Sequence, residues 1–159
     1  MSNLAQVNTV AAVAVIQASI AAQQAGIATA AAASILSTPS AWTPTDASGG
    51  ANAFINVIGQ SCLIGNMVVA EFVLTYPGSV SSGSSTAKIT LPTPVPNQTF
   101  AKAAAPCIVS GMGTATGVLL VAVPNSSTAL FYNPVTQANI TNTLLAGATV
   151  TCTIMYMAL

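Results

Sequence analysis

The first 36 residues and the rest of the chain carry two different hydrophobic rhythms. From Leu4 to Leu36 (LAQVNTVAAVAVIQASIAAQQAGIATAAAASIL) there is no charge, no proline and no aromatic residue. Alanine, the strongest helix former, dominates the stretch, which therefore predicts a helix. At 1.5 Å per residue it would extend roughly 50 Å, well beyond an average globular helix. Val13, Ile20 and Ile27 recur at seven-residue spacing, with Ile16 and Gln23 three positions later. These five residues form an a/d seam, and isoleucine at both kinds of position favours trimers or higher oligomers. Val7, Val10, Val15 and Gln17 fall off the seam, and no e/g charges fix a register. Two other burials remain open, a membrane span and a strap lying on a partner protein.

After Ser37-Thr38-Pro39-Ser40, where proline stops a helix, the period changes to two. Ala41-Trp42-Thr43-Pro44-Thr45 reads as a short extended segment, followed by the turn Asp46-Ala47-Ser48-Gly49-Gly50. Trp42 is expected to cap a core or a subunit seam, with a ligand platform as the alternative. Phe54 to Ile58 and Ser61 to Ile64 read as two short strands around Gly59-Gln60. After Gly65-Asn66 comes Met67 to Tyr76, with Val68, Ala70, Phe72, Leu74 and Tyr76 on one face and Met67, Val69, Glu71, Val73 and Thr75 on the other. Both faces are largely apolar, as expected for a strand packed on its own core and on a neighbouring subunit.

Pro77 to Thr86 reads as a flexible polar loop. Thr86 to Leu91 is a half-buried strand that Pro92, Pro94 and Pro96 end, and Cys107-Ile108-Val109 begins another. Gly117 to Val123 and Ala129 to Tyr132 form a hairpin across Pro124 to Ser127. Leu144 and Leu145 precede the Gly147 turn, and Thr149 to Leu159 is a long closing strand. About eight strands with turns every 8–12 residues indicate an antiparallel β-sandwich or jelly roll. The expected organisation is mainly β: an N-terminal helix over residues 1–37, as a trimeric coiled coil, then a β-sandwich over 38–159.

Charge sharpens this picture. Asp46, Glu71, Lys88 and Lys102 are the only charged side chains among 159 residues. A lone soluble domain so poor in charge would associate, so a structural subunit of a larger assembly fits best. Two lysines cannot displace the counterions of a nucleic acid, and no nucleic-acid partner is expected. A membrane partner is disfavoured too: glutamines interrupt the helix, alanine inserts weakly, and no Lys, Arg or amino-side aromatic residue flanks it. The segment lacks the charged n-region of a signal peptide.

Histidine is absent, which removes the Ser–His and Cys–His nucleophile pairs and most zinc sites. Asp46 and Glu71 are the only carboxylates, one in a turn and one in mid-strand, so glycosidase chemistry is not expected. Glu71 is instead expected to pair with Lys88 or Lys102, as a carboxylate on an apolar strand requires. Cys62, Cys107 and Cys152 have no metal-type spacing and read as small hydrophobes. Gly111-Met112-Gly113-Thr114-Ala115-Thr116-Gly117 precedes a strand and lacks the Lys-Ser/Thr of a phosphate loop, so it reads as a turn. Three Asn-x-Ser/Thr matches, at Asn97, Asn125 and Asn139, are discounted in the absence of a signal peptide. No catalytic, cofactor or metal residue is expected, and the chain is read as a non-enzyme.

Ala41-Trp42-Thr43-Pro44-Thr45, Ile64-Gly65-Asn66-Met67-Val68-Val69, Ala87-Lys88-Ile89-Thr90-Leu91-Pro92 and Thr153-Ile154-Met155-Tyr156-Met157 occur in this order. Together they resemble the β-sandwich modules at the distal ends of bacteriophage fibres, over residues 40 to 159. The resemblance implies a trimeric virion protein assembled in the host cytoplasm, belonging to a head fibre, a tail fibre or a receptor-binding tip. It further implies a capsid or other virion partner held by the helix, and a host cell-surface receptor met by the sandwich. The polar loops Ser79 to Ser85 and Asn125 to Thr128 are candidates for the outer tip. The large amino-terminal attachment domain common in tail fibres has no counterpart here, which points to the helix as the attachment element. A small head fibre or a capsid decoration protein that binds no receptor fits that feature. A membrane-anchored protein is the remaining alternative.

Overall fold

The computed structural model describes residues 13–28, 38–96, 103–112 and 117–158. The chain divides into two units, Met1–Ser37 and Thr38–Leu159. In the first, residues 13–28 form helix α1, and every one of these residues is exposed. Val13, Ile16, Ile20, Gln23 and Ile27 share one side of it, within an arc of about 80° at 100° per residue. Val15 lies off that arc. Among the described residues no helix is long and apolar enough to cross a membrane.

The second unit is mainly β and entirely antiparallel. Its strands are β1 (Ser40–Ala41), β2 (Ile55–Ile64), β3 (Met67–Thr75), β4 (Lys88–Val95), β5 (Ala104–Ser110), β6 (Val118–Ala122), β7 (Ser126–Asn133), β8 (Ala138–Asn139) and β9 (Thr149–Met157). A single turn of helix, α2 (Asn142–Leu145), precedes β9. Hydrogen bonding is continuous in the order β1-β2-β3-β9-β5-β6-β7-β4, with β8 on β7.

This one sheet is folded into two layers. The Tyr156 hydroxyl on β9 donates to the Thr93 carbonyl on β4 at 2.9 Å, and the Tyr76 and Phe131 rings meet edge-on at 6.2 Å. Both contacts join strands that lie far apart along the ladder. The core between the layers takes alternate residues of each strand: Val68, Ala70, Phe72 and Leu74 from β3, Val150, Cys152, Ile154 and Tyr156 from β9, and Leu120, Phe131 and Ile89 from the facing layer. Period-two alternation sends these inward and their neighbours outward.

Two segments turn the corners between layers. The first is β5. Ala104 to Cys107 pair with β6, and Cys107 to Ser110 pair with β9, so Cys107 has a register partner on both sides, Val118 and Cys152. Pro106 sits one residue before the change, in keeping with the confinement of proline to strand irregularities. The second corner is residues 40–47. Ser40 and Ala41 pair with Ser61 and Gln60, and the Trp42 amide donates to the Gly59 carbonyl at 3.0 Å. Past Pro44, the segment pairs with the opposite edge: Asp46 opposes Ile89, the Thr90 amide donates to the Thr45 carbonyl, and the Ala47 amide donates to the Lys88 carbonyl. One short stretch thereby bridges both ends of the sheet, a layered arrangement in which strands change sheets at corners.

Several expectations shift. The two short strands proposed around Gly59-Gln60 are one ten-residue strand, with its irregularity between Ile55 and Ile58. Gly59 stays in the ladder because a Cβ there would meet the Trp42 carbonyl oxygen at 2.6 Å and the indole at 3.2 Å, so close approach of residue 42 requires glycine. The β4 strand runs through Pro92 and Pro94 to Val95, its pairing with β7 irregular between Thr90 and Val95. The loop over 77–86 is tethered at several points. The Ser81 amide donates to Asn52 Oδ1, the Asn142 and Thr143 amides donate to the Ser85 and Gly83 carbonyls, and Thr86 bridges Thr141.

Candidate interaction face

The strand register assembles one outer face from β2, β3, β9 and half of β5. Reading across, Ile64, Met67 and Met157 form one row, Cys62, Val69 and Met155 the next, and Gln60, Glu71 and Thr153 a third. A fourth row is Ile58, Val73, Thr151 and Ile108. Residues directly opposite in an antiparallel ladder point the same way, so these side chains share one surface. Ile58 is 73% exposed, Ile108 76% and Met155 61%, whereas Thr151 and Thr153 between them are short. The result is an open hollow of ≈ 480 Å³ lined by Ile58, Gln60, Glu71, Val73, Thr151 and Thr153, among others. Apolar knobs stand around it.

Among the described residues Glu71 is the only charged side chain on this face, and Gln60 Nε2 donates to its carboxylate. Lys88 projects from β4, in the other layer, where it is in register with Leu130. Among the described residues no ion pair joins Glu71 to Lys88, and Lys102 lies outside them. Within the described residues the Glu71 carboxylate takes the Gln60 amide across the β2–β3 ladder.

The other carboxylate is fixed in the second corner. Asp46 accepts from the Ser48 amide at 2.9 Å and from the Asn52 backbone and side-chain amides at 2.8 Å each. Burial acts to raise its pKa, but the hydrogen bonds from Ser48 and Asn52 outweigh it and hold the carboxyl below its ordinary value. Asn52 also receives the Ser81 amide, and the Asn142 side-chain amide donates to Ser48 Oγ at 2.9 Å and to the Ser82 carbonyl at 3.3 Å. This network ties the second corner to the 77–86 loop and to α2. Asp46 and Glu71 occupy a corner and an outer face respectively, each with partners of its own.

Cys107 and Cys152 are register partners whose side chains point towards the core, and Cys62 lies on the outer face. The half-buried Cys107 thiol has its pKa pushed up by the neighbouring Cys152 thiol first and by burial second. Trp42 packs edge-on against Phe72 at 5.8 Å, closing the core beside the second corner, as the capping reading expected. Among the described residues no group of three or more metal-ligating side chains converges. The seam residues of α1, Val13, Ile16, Ile20, Gln23 and Ile27, are all exposed in their own unit. Residues 97–102 and 113–116, with the Asn97 glycosylation match and part of the glycine-rich stretch, lie outside the described residues.

Sequence reasoning singled out the outward residues of β3 but not Ile58, Ile108, Met155 and Met157, which complete the face. Their signal was present in β9: TVTCTIMYM places Thr149, Thr151, Thr153, Met155 and Met157 on one side, so the outward row turns apolar at its end. The register with β2 and β5, which only the fold supplies, brings Ile58 and Ile108 beside it. Comparison with protein-family models, with curated proteins and with solved structures gives no match to this chain.

Proposed function

We propose that the chain is a structural subunit of a virion appendage, a bacteriophage head or tail fibre. Its helix trimerises and attaches to the particle, and its β-domain is carried outward towards the host surface. One observation carries this reading: a four-stranded outer face rich in exposed isoleucine and methionine, with one charge among the described residues, in a chain with four charged residues in all. Apolar surface of this extent marks interaction sites rather than free monomer surface. The exposed, uncharged seam of α1 supports the same conclusion, because an apolar stripe gains stability only when a partner covers it. The order of the four motifs along residues 41–157 supports the choice of a fibre module.

Two measurements on purified phage test it. Mass spectrometry should find the chain in the particles, and isolated protein should adsorb to host cells and compete with whole particles. Presence without adsorption would favour a capsid decoration protein. Absence from the particles would end the virion reading.

A further inference from the structure

We propose that Cys107 and Cys152 form a redox-closed clasp, in which a low-molecular-weight disulfide such as oxidised glutathione converts the two thiols into one disulfide joining β5 to β9. The inference is independent of the virion reading. Register is the first argument. Cys107 lies directly opposite Cys152 in the antiparallel β5–β9 ladder, so the two side chains leave the sheet on the same side. Residues so placed have Cα atoms about 4.5 or about 5.5 Å apart, depending on which pairs exchange hydrogen bonds. Both separations lie within the roughly 4.4–6.8 Å that a disulfide bridges without backbone movement. The thiols are also close enough to move each other's pKa, Cys107 upwards and Cys152 downwards.

The second argument is that this pairing has no competitor within the chain. Cys62 lies on β2, two ladder steps from β9 and three from β5, at about 4.8 Å per step. It also faces the other side of the sheet. The third is that the two protons are cheaply given up. Cys152 Sγ donates to the Pro106 carbonyl at 3.7 Å and Cys107 Sγ to the Ala105 carbonyl at 3.9 Å. Thiols are weak donors, so neither carbonyl loses a strong partner.

Access orders the chemistry, because Cys107 is half-buried whereas Cys152 is 3% exposed. Cys107, as the thiolate, attacks one sulfur of the glutathione disulfide. A mixed disulfide forms, and the first glutathione thiol leaves with the Cys107 proton. Cys152 then attacks Cys107 Sγ, the mixed S–S bond breaks, and the second glutathione thiol leaves with the Cys152 proton. Two electrons pass from the pair to the oxidant. The loop so closed, residues 107–152, carries β6, β7, β8 and α2, and the bond fastens the β5 corner to β9. A chain kept among thiols holds the open pair, and one moved to an oxidising medium closes it.

Incubation of the folded, reduced full chain with oxidised glutathione at mildly alkaline pH tests the proposal, read by alkylation in denaturant and peptide mass mapping. The peptides of Cys107 and Cys152 are expected to be joined, with the loss of two hydrogen atoms. The melting temperature should rise by about 10 °C over that of the reduced protein and fall back when a reductant is added. Cys62→Ser should behave as the wild type, and Cys107→Ser should show no rise. Alkylation of both Cys107 and Cys152, a bond from either to Cys62, an adduct that stops at Cys107, or a joined pair without the rise overturns the proposal.

Discussion

The two corners of the sheet solve the same problem with different means. At β5 the backbone alone makes the turn: seven residues pair with one neighbour and then with another, and Cys107 serves both. At residues 40–47 the ladder is short, and side chains complete it. Trp42 packs on Phe72, Gly59 admits the chain, and Asp46 gathers three N–H donors from Ser48 and Asn52. A corner held by a backbone ladder tolerates substitution. A corner held by particular side chains does not.

Mutations can break or sharpen this contrast. Trp42→Ala should cost the most, about 3 kcal/mol in chemical denaturation, the lower end for tryptophan truncation because the ring is half-buried. Gly59→Ala should destabilise by about 2 kcal/mol through overlap with the Trp42 carbonyl. That clash is with backbone, so the penalty should persist in a Trp42→Ala background. Asp46→Asn should lose roughly 1–2 kcal/mol at neutral pH, since a neutral amide accepts fewer of the three donors.

The same residue gives the corner a pH dependence. Because the folded-state pKa of Asp46 lies below its ordinary value, its contribution is fully present above the unfolded pKa, about 3.9, and lost as pH falls through the folded value. Thermal melts between neutral pH and pH 2 should show a decline below about pH 4 that is reduced in Asp46→Asn. At the other corner, Cys107→Ala should cost only about 1 kcal/mol, with the β5 ladder intact. Amide exchange offers a comparison without mutation: Cys107, with a ladder on both sides, should be better protected than Trp42 and Ala47. Equal protection would dissolve the contrast.

Much of the strand layout was legible in the chain because core-facing alternation is a local signal. MVVAEFVLTY and TVTCTIMYMAL each announce a strand and its two faces without any knowledge of neighbours. The corners were not legible. Nothing in Ala41 to Ala47 says that its first half bonds β2 and its second half β4, because that depends on where two distant edges come to lie. Pro92 and Pro94 misled for a related reason. Proline is read as a terminator, yet a strand with irregular pairing accommodates it. The interaction face was half legible: Val69 and Val73 could be picked from one strand, whereas Ile58 and Ile108 join them only through register.

The corner segment over residues 40–47 has a mechanical consequence. It is the first stretch of the β-domain to meet any load that enters from the amino-terminal side, and it is fastened to both edges of the sheet by a handful of hydrogen bonds. The β3–β9 pair, aligned over nine successive residues, lies in the middle of the ladder. A pull on the amino end would therefore strip residues 40–47 first and part the two layers at their seam. The long central ladder would come under strain only afterwards. The domain is built with a sacrificial latch at the point of loading and a long, uninterrupted pairing held in reserve within the sheet.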